Sequence, residues 1–232
     1  MTGPIHLQPT ADLAPRVLLP GDPGRALMLA QHLLEGPLMF NHHRGLWGYT
    51  GKAADGEPLT IQSTGMGGPS AAIVISELID LGASRLVRAG TCGALSAELA
   101  LGDLVIVTDC VSDDGTSRAL GAADTALPSD QLLAALRRAG DGLAVSGRVV
   151  STDLFYGAED REHAWIDAGA IAVEMETATV FALAARRGVM AASALLVSDV
   201  LLRARARIEP DELLLAEQRL GELAYRSLSA TG

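Results

Sequence analysis

Cysteine is scarce in this 232-residue chain, and the two that occur, Cys92 and Cys110, supply neither a disulfide framework nor a Cys-x-x-Cys metal pattern. Both are expected as reduced thiols, and no metal is implied. No run approaches the roughly 18 consecutive apolar residues that a membrane helix requires, and Met1 to Leu13 lacks a basic stretch followed by an apolar one. These absences predict a cytoplasmic protein with no membrane partner. Positive charge is also in deficit: 18 Lys and Arg against 28 Asp and Glu leave a net charge of -10. A nucleic-acid partner is therefore not expected, since such proteins normally show a basic face. Any small anion must be held by a few well-placed arginines. Internal repeats, low-complexity tracts and linkers are missing, as are a Gly-Lys-Ser/Thr phosphate loop and a Gly-x-Gly-x-x-Gly turn opening a helix.

What the chain does have is apolar residues, 49% of the total, enough at this length for one large core and one domain spanning residues 1–232. Short β-branched runs alternate with longer helical stretches. Strands are predicted at Arg16–Leu19, Leu59–Gln62, Arg85–Arg88, Leu104–Val107, Leu143–Val150, Ile171–Met175 and Ala192–Val197. Helices are predicted at Arg25–Leu34, Ser70–Leu81, Asp130–Ala139, Thr177–Arg187 and Asp211–Leu228. Near-continuous apolar strands separated by helices imply a sheet covered on both faces, hence an α/β fold.

In such folds ligands collect at the carboxyl ends of strands, where this chain carries three glycine-rich segments: Pro20–Arg25, Ser63–Ser70 and Ala89–Gly93. All three are read as loops whose glycines permit close backbone approach, with helix N-termini behind them that favour an anion. Arg25 and Arg88 flank them and Thr91 adds a hydroxyl, a set able to chelate a phosphate-sized dianion. Each feature alone has a plainer reading, as a turn or a solvated charge. The most informative feature is Val173-Glu174-Met175-Glu176-Thr177, two carboxylates where an apolar strand turns into a helix. Strand alternation puts Glu174 and Glu176 on one side and Met175 on the other. An ordinary helix-capping role for Glu176 is the competing reading.

Six ordered motifs now carry a family resemblance: Gly-Asp-Pro-Gly-Arg (21–25), Thr-Gly-Met-Gly-Gly-Pro-Ser (64–70), Arg-Ala-Gly-Thr-Cys-Gly (88–93), Ser-Thr-Asp-Leu-Phe-Tyr (151–156), Val-Glu-Met-Glu-Thr (173–177) and Val-Ser-Asp (197–199). Together they resemble the nucleoside phosphorylases of the hexameric purine and uridine type. The resemblance implies a three-layer nucleoside phosphorylase fold with a central mixed sheet flanked by helices. It implies phosphorolysis with inorganic phosphate as cosubstrate and no organic cofactor. It also implies a homo-oligomer, a hexamer built as a trimer of dimers, with sites shared between subunits. By the same resemblance Gly21, Arg25, Arg88 and Thr91 bind phosphate, with Arg44 lent by a neighbouring subunit. Glu176 receives the ribose hydroxyls, Glu174 and Met175 belong to the same nucleoside-binding motif, and His6 comes from a neighbour to the 5′ hydroxyl. Phe155 matches an aromatic against the base, and Asp199 the purine enzymes' general acid for N7. From sequence alone His6 and Arg44 would be surface residues, Phe155 a core residue and Asp199 a helix-cap or loop aspartate.

Departures from the pattern bear on the base. The arginine that usually assists the aspartate is unassigned, because Arg203, Arg205 and Arg207 come early and Arg219 late. Uridine phosphorylases read the pyrimidine with a Gln-x-Arg, and Glu159 and Arg161 stand there instead. An ionised glutamate cannot donate the amide hydrogen bond. Purine nucleosides are therefore expected, and inosine, guanosine and adenosine all suit an aspartate. A uridine phosphorylase, a hydrolytic nucleosidase of the same fold and a non-catalytic nucleoside-binding protein are the alternatives.

Overall fold

The computed structural model describes residues 3–202 and 205–229. In chain order the strands are β1 (Arg16–Leu19), β2 (Leu34–Asn41), β3 (Gly48–Ala53), β4 (Pro58–Gln62), β5 (Arg85–Ala94), β6 (Leu104–Asp113), β7 (Thr125–Ala126), β8 (Ala144–Thr152), β9 (Ala172–Glu174), β10 (Met190–Val200) and β11 (Ala206–Arg207). The α-helices are α1 (Pro23–Leu33), α2 (Gly67–Asp80), α3 (Gly115–Ala119), α4 (Asp130–Ala139), α5 (Glu162–Asp167), α6 (Thr177–Arg187) and α7 (Pro210–Ser229). None is long and apolar enough to cross a membrane among the described residues.

β1 shows why the predicted α/β class holds. All four of its residues are buried, and alternation sends Val17 and Leu19 into one core while Leu18 enters the other. The first core is completed by Val74 and Leu78 of α2 and Phe181 of α6. The second is completed by Leu29 of α1, Leu136 of α4 and Leu220 of α7. Helices thus cover both faces of one mixed sheet, the three-layer arrangement expected.

β5 organises the sheet. One of its edges pairs in parallel with β1 over Arg85–Arg88, then antiparallel with β9 at Gly93 and Ala94. Its other edge runs parallel to β10 along its whole length. Because β10 also pairs with β6, β6 with β8 and β8 with β9, these five strands close on themselves. At its carboxyl end β5 is therefore held between β9 on one edge and β10 on the other.

Two readings of the glycine-rich segments need correction. Ala89–Gly93 is not a loop: β5 continues to Ala94, held by ladder bonds to β10 that outweigh the low strand preference of glycine. The first two segments are partly helical. α1 starts at Pro23, capped by Asp22 accepting from the Arg25 amide at 2.7 Å, and α2 starts at Gly67 rather than Ser70. That earlier start aims the Gly67 amide at the site.

Candidate active site

Arg88 is the centre of the strand-end cluster. It lies on β5 opposite Leu19 and Ser193 and is 3% exposed. A β-carbon at Gly90 would sit 2.5 Å from the Arg88 guanidinium carbon, so glycine at 90 makes room for an arginine folded back along its own strand. The close approach inferred from this glycine is to Arg88. Its Nε donates to Glu174 Oε2 at 2.9 Å, and its Nη2 lies 2.5 Å from Glu176 Oε2. Both acids converge on Arg88, although β9 ends at Glu174 and Glu176 lies beyond the reach of strand alternation.

Glu174 and Glu176 divide the work. Glu174 ends β9 and accepts from the amides of Glu176 and Thr177 at 3.0 Å and from the Ser151 hydroxyl. It, rather than Glu176, supplies the carboxylate that caps α6. Glu176 occupies the N-cap position without a side-chain cap bond, and its Oε1 accepts from the Gly67 amide at 2.5 Å. Burial pushes the Glu176 carboxyl up, with Glu174 adding to the effect and Arg88 opposing it. Burial works against the Arg88 charge, yet Glu176 and Glu174 hold its pKa above the usual arginine value. The cluster buries two acids against one base, and the hydroxyls of a ligand could donate to the carboxylate oxygens.

Gly21 and Arg25 stand beside this cluster. The Thr64 amide donates to Pro20 O at 2.9 Å and the Gly65 amide to Gly21 O at 3.0 Å, which zips the first two glycine-rich segments together. Arg25 is 9% exposed and paired with Glu217 of α7, Nε and Nη2 both 2.7 Å from Oε1. The sequence offered no local signal for Glu217, which lies 192 residues away. Thr91 is half-buried on β5, opposite Leu196.

Asp199 faces Gly93 across the β5–β10 ladder, and Gly93 in turn faces Val173 of β9. The aspartate and the paired glutamates therefore flank one strand end. The Ser198 hydroxyl donates to Asp199 Oδ2 at 2.7 Å. Arg207, the cross-strand partner of Asp199 in β11, has its Nε 3.7 Å from Oδ1. An arginine thus does accompany the aspartate, although it stands early in sequence. Arg219 instead donates to Gly102 O at 3.1 Å, Arg205 pairs with Glu162 at 3.0 Å, and Arg203 lies outside the described residues.

His6, Arg44 and Phe155 complete the predicted set. His6 Nδ1 lies 2.8 Å from Glu77 Oε1, near the end of α2, about 15 Å of helix beyond Gly67 at 1.5 Å per residue. Arg44 is exposed and carries a left-handed backbone, φ 58° and ψ 17°, a conformation unusual for a side chain of its size. Asn41 and Gln62 anchor its turn by donating to Leu46 O at 2.5 and 2.9 Å. Phe155 is 65% exposed, with Tyr156 edge-on at 4.9 Å, so it is no core residue. Met175 is half-buried. At the positions of the pyrimidine code, Arg161 is bound to Asp113 and Glu159 lies 3.6 Å from Arg205. Cys92 and Cys110 are free and buried, and burial drives both thiols up.

The family model described as "Phosphorylase superfamily" matches residues 15–230. A "Purine nucleoside phosphorylase DeoD-type" from Geobacillus kaustophilus is 40% identical over 199 residues, covering 83% of this chain and 84% of that protein. A second protein of that name, from Alkaliphilus metalliredigens, is 38% identical over 200 residues, with coverage of 82% and 84%. Among solved structures, a uridine phosphorylase from Vibrio fischeri complexed with 6-hydroxy-1-naphthoic acid superposes with a TM-score of 0.83 at 27% identity, covering 94% of this chain and 92% of its own.

Proposed function

Because the chain belongs to the phosphorylase superfamily, we propose that it is a purine nucleoside phosphorylase, cleaving the N-glycosidic bond of purine ribo- and deoxyribonucleosides with inorganic phosphate. The observation that carries the reading is the junction at Arg88, where a buried cation touches both carboxylates of the Glu-Met-Glu motif. Phosphate and ribose must lie against each other for attack at C1′. A guanidinium already joined to Glu176 brings the two binding functions together.

Phosphate is held by Arg88 through Nη1, the nitrogen those two pairs do not use, by Thr91, by the backbone at Gly21 and by Arg25. Glu176 accepts the ribose hydroxyls and Met175 lies against the sugar. Positive charge developing on the sugar is stabilised by the phosphate beneath it and by Glu176. Asp199, steadied by Ser198 and Arg207, gives a proton to N7 of the departing purine, and Phe155 covers the base. The engaged state of Glu159 and Arg161 supports purine over uridine, as do the names of the two bacterial relatives. The reaction yields one ribose 1-phosphate per base released. Free ribose in its place would make the protein a nucleosidase.

Arg25 is occupied by Glu217, so phosphate competes with that carboxylate. Glu217→Gln, which weakens the ion pair without emptying the space, is expected to lower the KM for phosphate roughly threefold to tenfold. Initial rates against phosphate concentration check this, and an unchanged or raised KM would mean that Glu217 and phosphate do not compete.

The active unit is a dimer or a multiple of it, a hexamer by resemblance. Support comes from the placement of His6 against Glu77, near the far end of α2, and from the exposed apolar residues Ile5, Trp47 and Ile73. Arg44→Ala is expected to raise the KM for phosphate at least tenfold. Mixed with an Asp199→Asn chain, it should recover activity in hybrid oligomers, because one site in the hybrid regains both residues. Hybrids without recovery would place Arg44 in its own subunit's site.

A further inference from the structure

Glu77 gathers more donors than any role in the Arg88 cluster explains. Its side chain is 13% exposed and accepts from the amides of Ile5 and His6 at 3.0 Å and of Leu7 at 2.7 Å. The same carboxylate lies 2.8 Å from His6 Nδ1. Three amide bonds suffice to pin the N-terminal segment to α2. The contact to the imidazole fixes something more, the orientation of the ring and the position of its proton.

Burial pushes the Glu77 carboxyl up, but the Leu7 amide, the His6 ring and the His6 and Ile5 amides outweigh it and hold the group below its usual range. An ionised carboxylate only accepts hydrogen bonds, so Nδ1 must carry the proton. In the neutral imidazole that leaves Nε2 as an acceptor. The segment is also joined to the turn bearing Arg44, since His43 Nδ1 lies 3.0 Å from His6 O and the Gln8 amide donates to Asn41 Oδ1 at 2.9 Å. His6 and Arg44 are thus presented by one connected unit.

We infer that Glu77 is a positioning residue for nucleoside recognition: it orients His6 so that Nε2 accepts a hydrogen bond from the 5′ hydroxyl of a nucleoside bound by a neighbouring subunit. This rests on the reading of His6 given above. Glu77 touches no substrate and sets selectivity for the 5′ position through the histidine.

The test compares wild type, Glu77→Gln, His6→Ala and the double variant on inosine and 5′-deoxyinosine, with oligomer mass measured for each. Glu77→Gln and His6→Ala should each lower kcat/KM for inosine roughly tenfold, with the double variant no worse than either single. On 5′-deoxyinosine, which lacks the hydroxyl that His6 receives, the losses relative to wild type should be several-fold smaller. Glu77→Asp, which keeps the charge but draws the oxygens away from Nδ1, carries the same expectation if Glu77→Gln does not assemble. Equal losses on both nucleosides, or losses that add in the double variant, would overturn the proposal and leave Glu77 a structural staple. If His6→Ala does not discriminate between the nucleosides, the reading of His6 falls and takes this inference with it. Absence of phosphorolysis by wild type would refute the enzymatic assignment instead.

Discussion

Asp199→Asn is expected to lower kcat on inosine or guanosine by about 10²- to 10⁴-fold, the range typical of losing a general acid, while nucleoside binding changes little. Asparagine keeps the shape and still accepts from Ser198 Oγ, whose bond to Oδ2 measures 2.7 Å, but it has no proton to release to N7. The loss should shrink on a nucleoside whose base leaves without protonation, such as a 7-methylated purine, because its leaving group already carries the positive charge. Unchanged turnover on ordinary purine nucleosides would remove the general-acid role. Arg207 belongs to the same test. Its Nε stands 3.7 Å from Asp199 Oδ1 from a two-residue strand, and it is 75% exposed, so it steadies the carboxylate from the solvent side.

Arg88→Met should have the other large effect, on stability and activity together. The guanidinium is buried, and without it Glu174 and Glu176 would face each other with no cation between them. Removing one partner of a buried ion pair costs about 3–5 kcal/mol, and two carboxylates share this partner. The variant should unfold at a lower denaturant concentration, and the gap to wild type should narrow as acid protonates the glutamates. The sign follows from Glu176, whose carboxyl is already pushed up by burial and takes a proton more readily once Arg88 is gone. Phosphorolysis should fall below detection even where the protein remains folded. Arg88→Lys keeps the charge but cannot bridge Glu174 and Glu176 through separate nitrogens. It should recover much of the stability and little of the activity. A stable Arg88→Met enzyme with a normal KM for phosphate would contradict the role of the junction.

The contrast between legible and hidden parts has physical causes. β1, β5, β6 and β10 could be read because their strands carry buried apolar runs, and α4 and α6 matched to the residue because their ends carry clear stop signals such as Gly140 and Gly188. The hairpin β2–β3 was missed. Leu34–Asn41 contains Gly36 and Pro37 and exposes five consecutive residues, so it shows no alternation, and its pairing with Gly48–Ala53 breaks register twice. The short helices α3 and α5 span too few residues for a helical period.

In the site, Glu174 and Glu176 do act together, but β9 ends at Glu174, so alternation is not what brings Glu176 round, and nothing local announced that both would close on Arg88, 86 residues earlier for Glu174. Thr91 and Gly93 looked like loop residues because glycine normally interrupts strands. Pairing on both edges of β5 reverses that tendency, and Gly90 is explained by the arginine lying over it. Arg207 comes early in sequence, whereas antiparallel pairing of β11 with β10 brings it beside Asp199 in space. Glu217 and Glu77 act through contacts 192 and 71 residues away in sequence, and no local pattern encodes such partners.

The most direct measurement is base release from inosine, guanosine, adenosine and uridine, each with and without inorganic phosphate. The Arg88 junction and Asp199 predict release from purine nucleosides only when phosphate is present, with uridine left intact. Equal release without phosphate, cleavage confined to uridine, or no cleavage of any of the four would contradict the account.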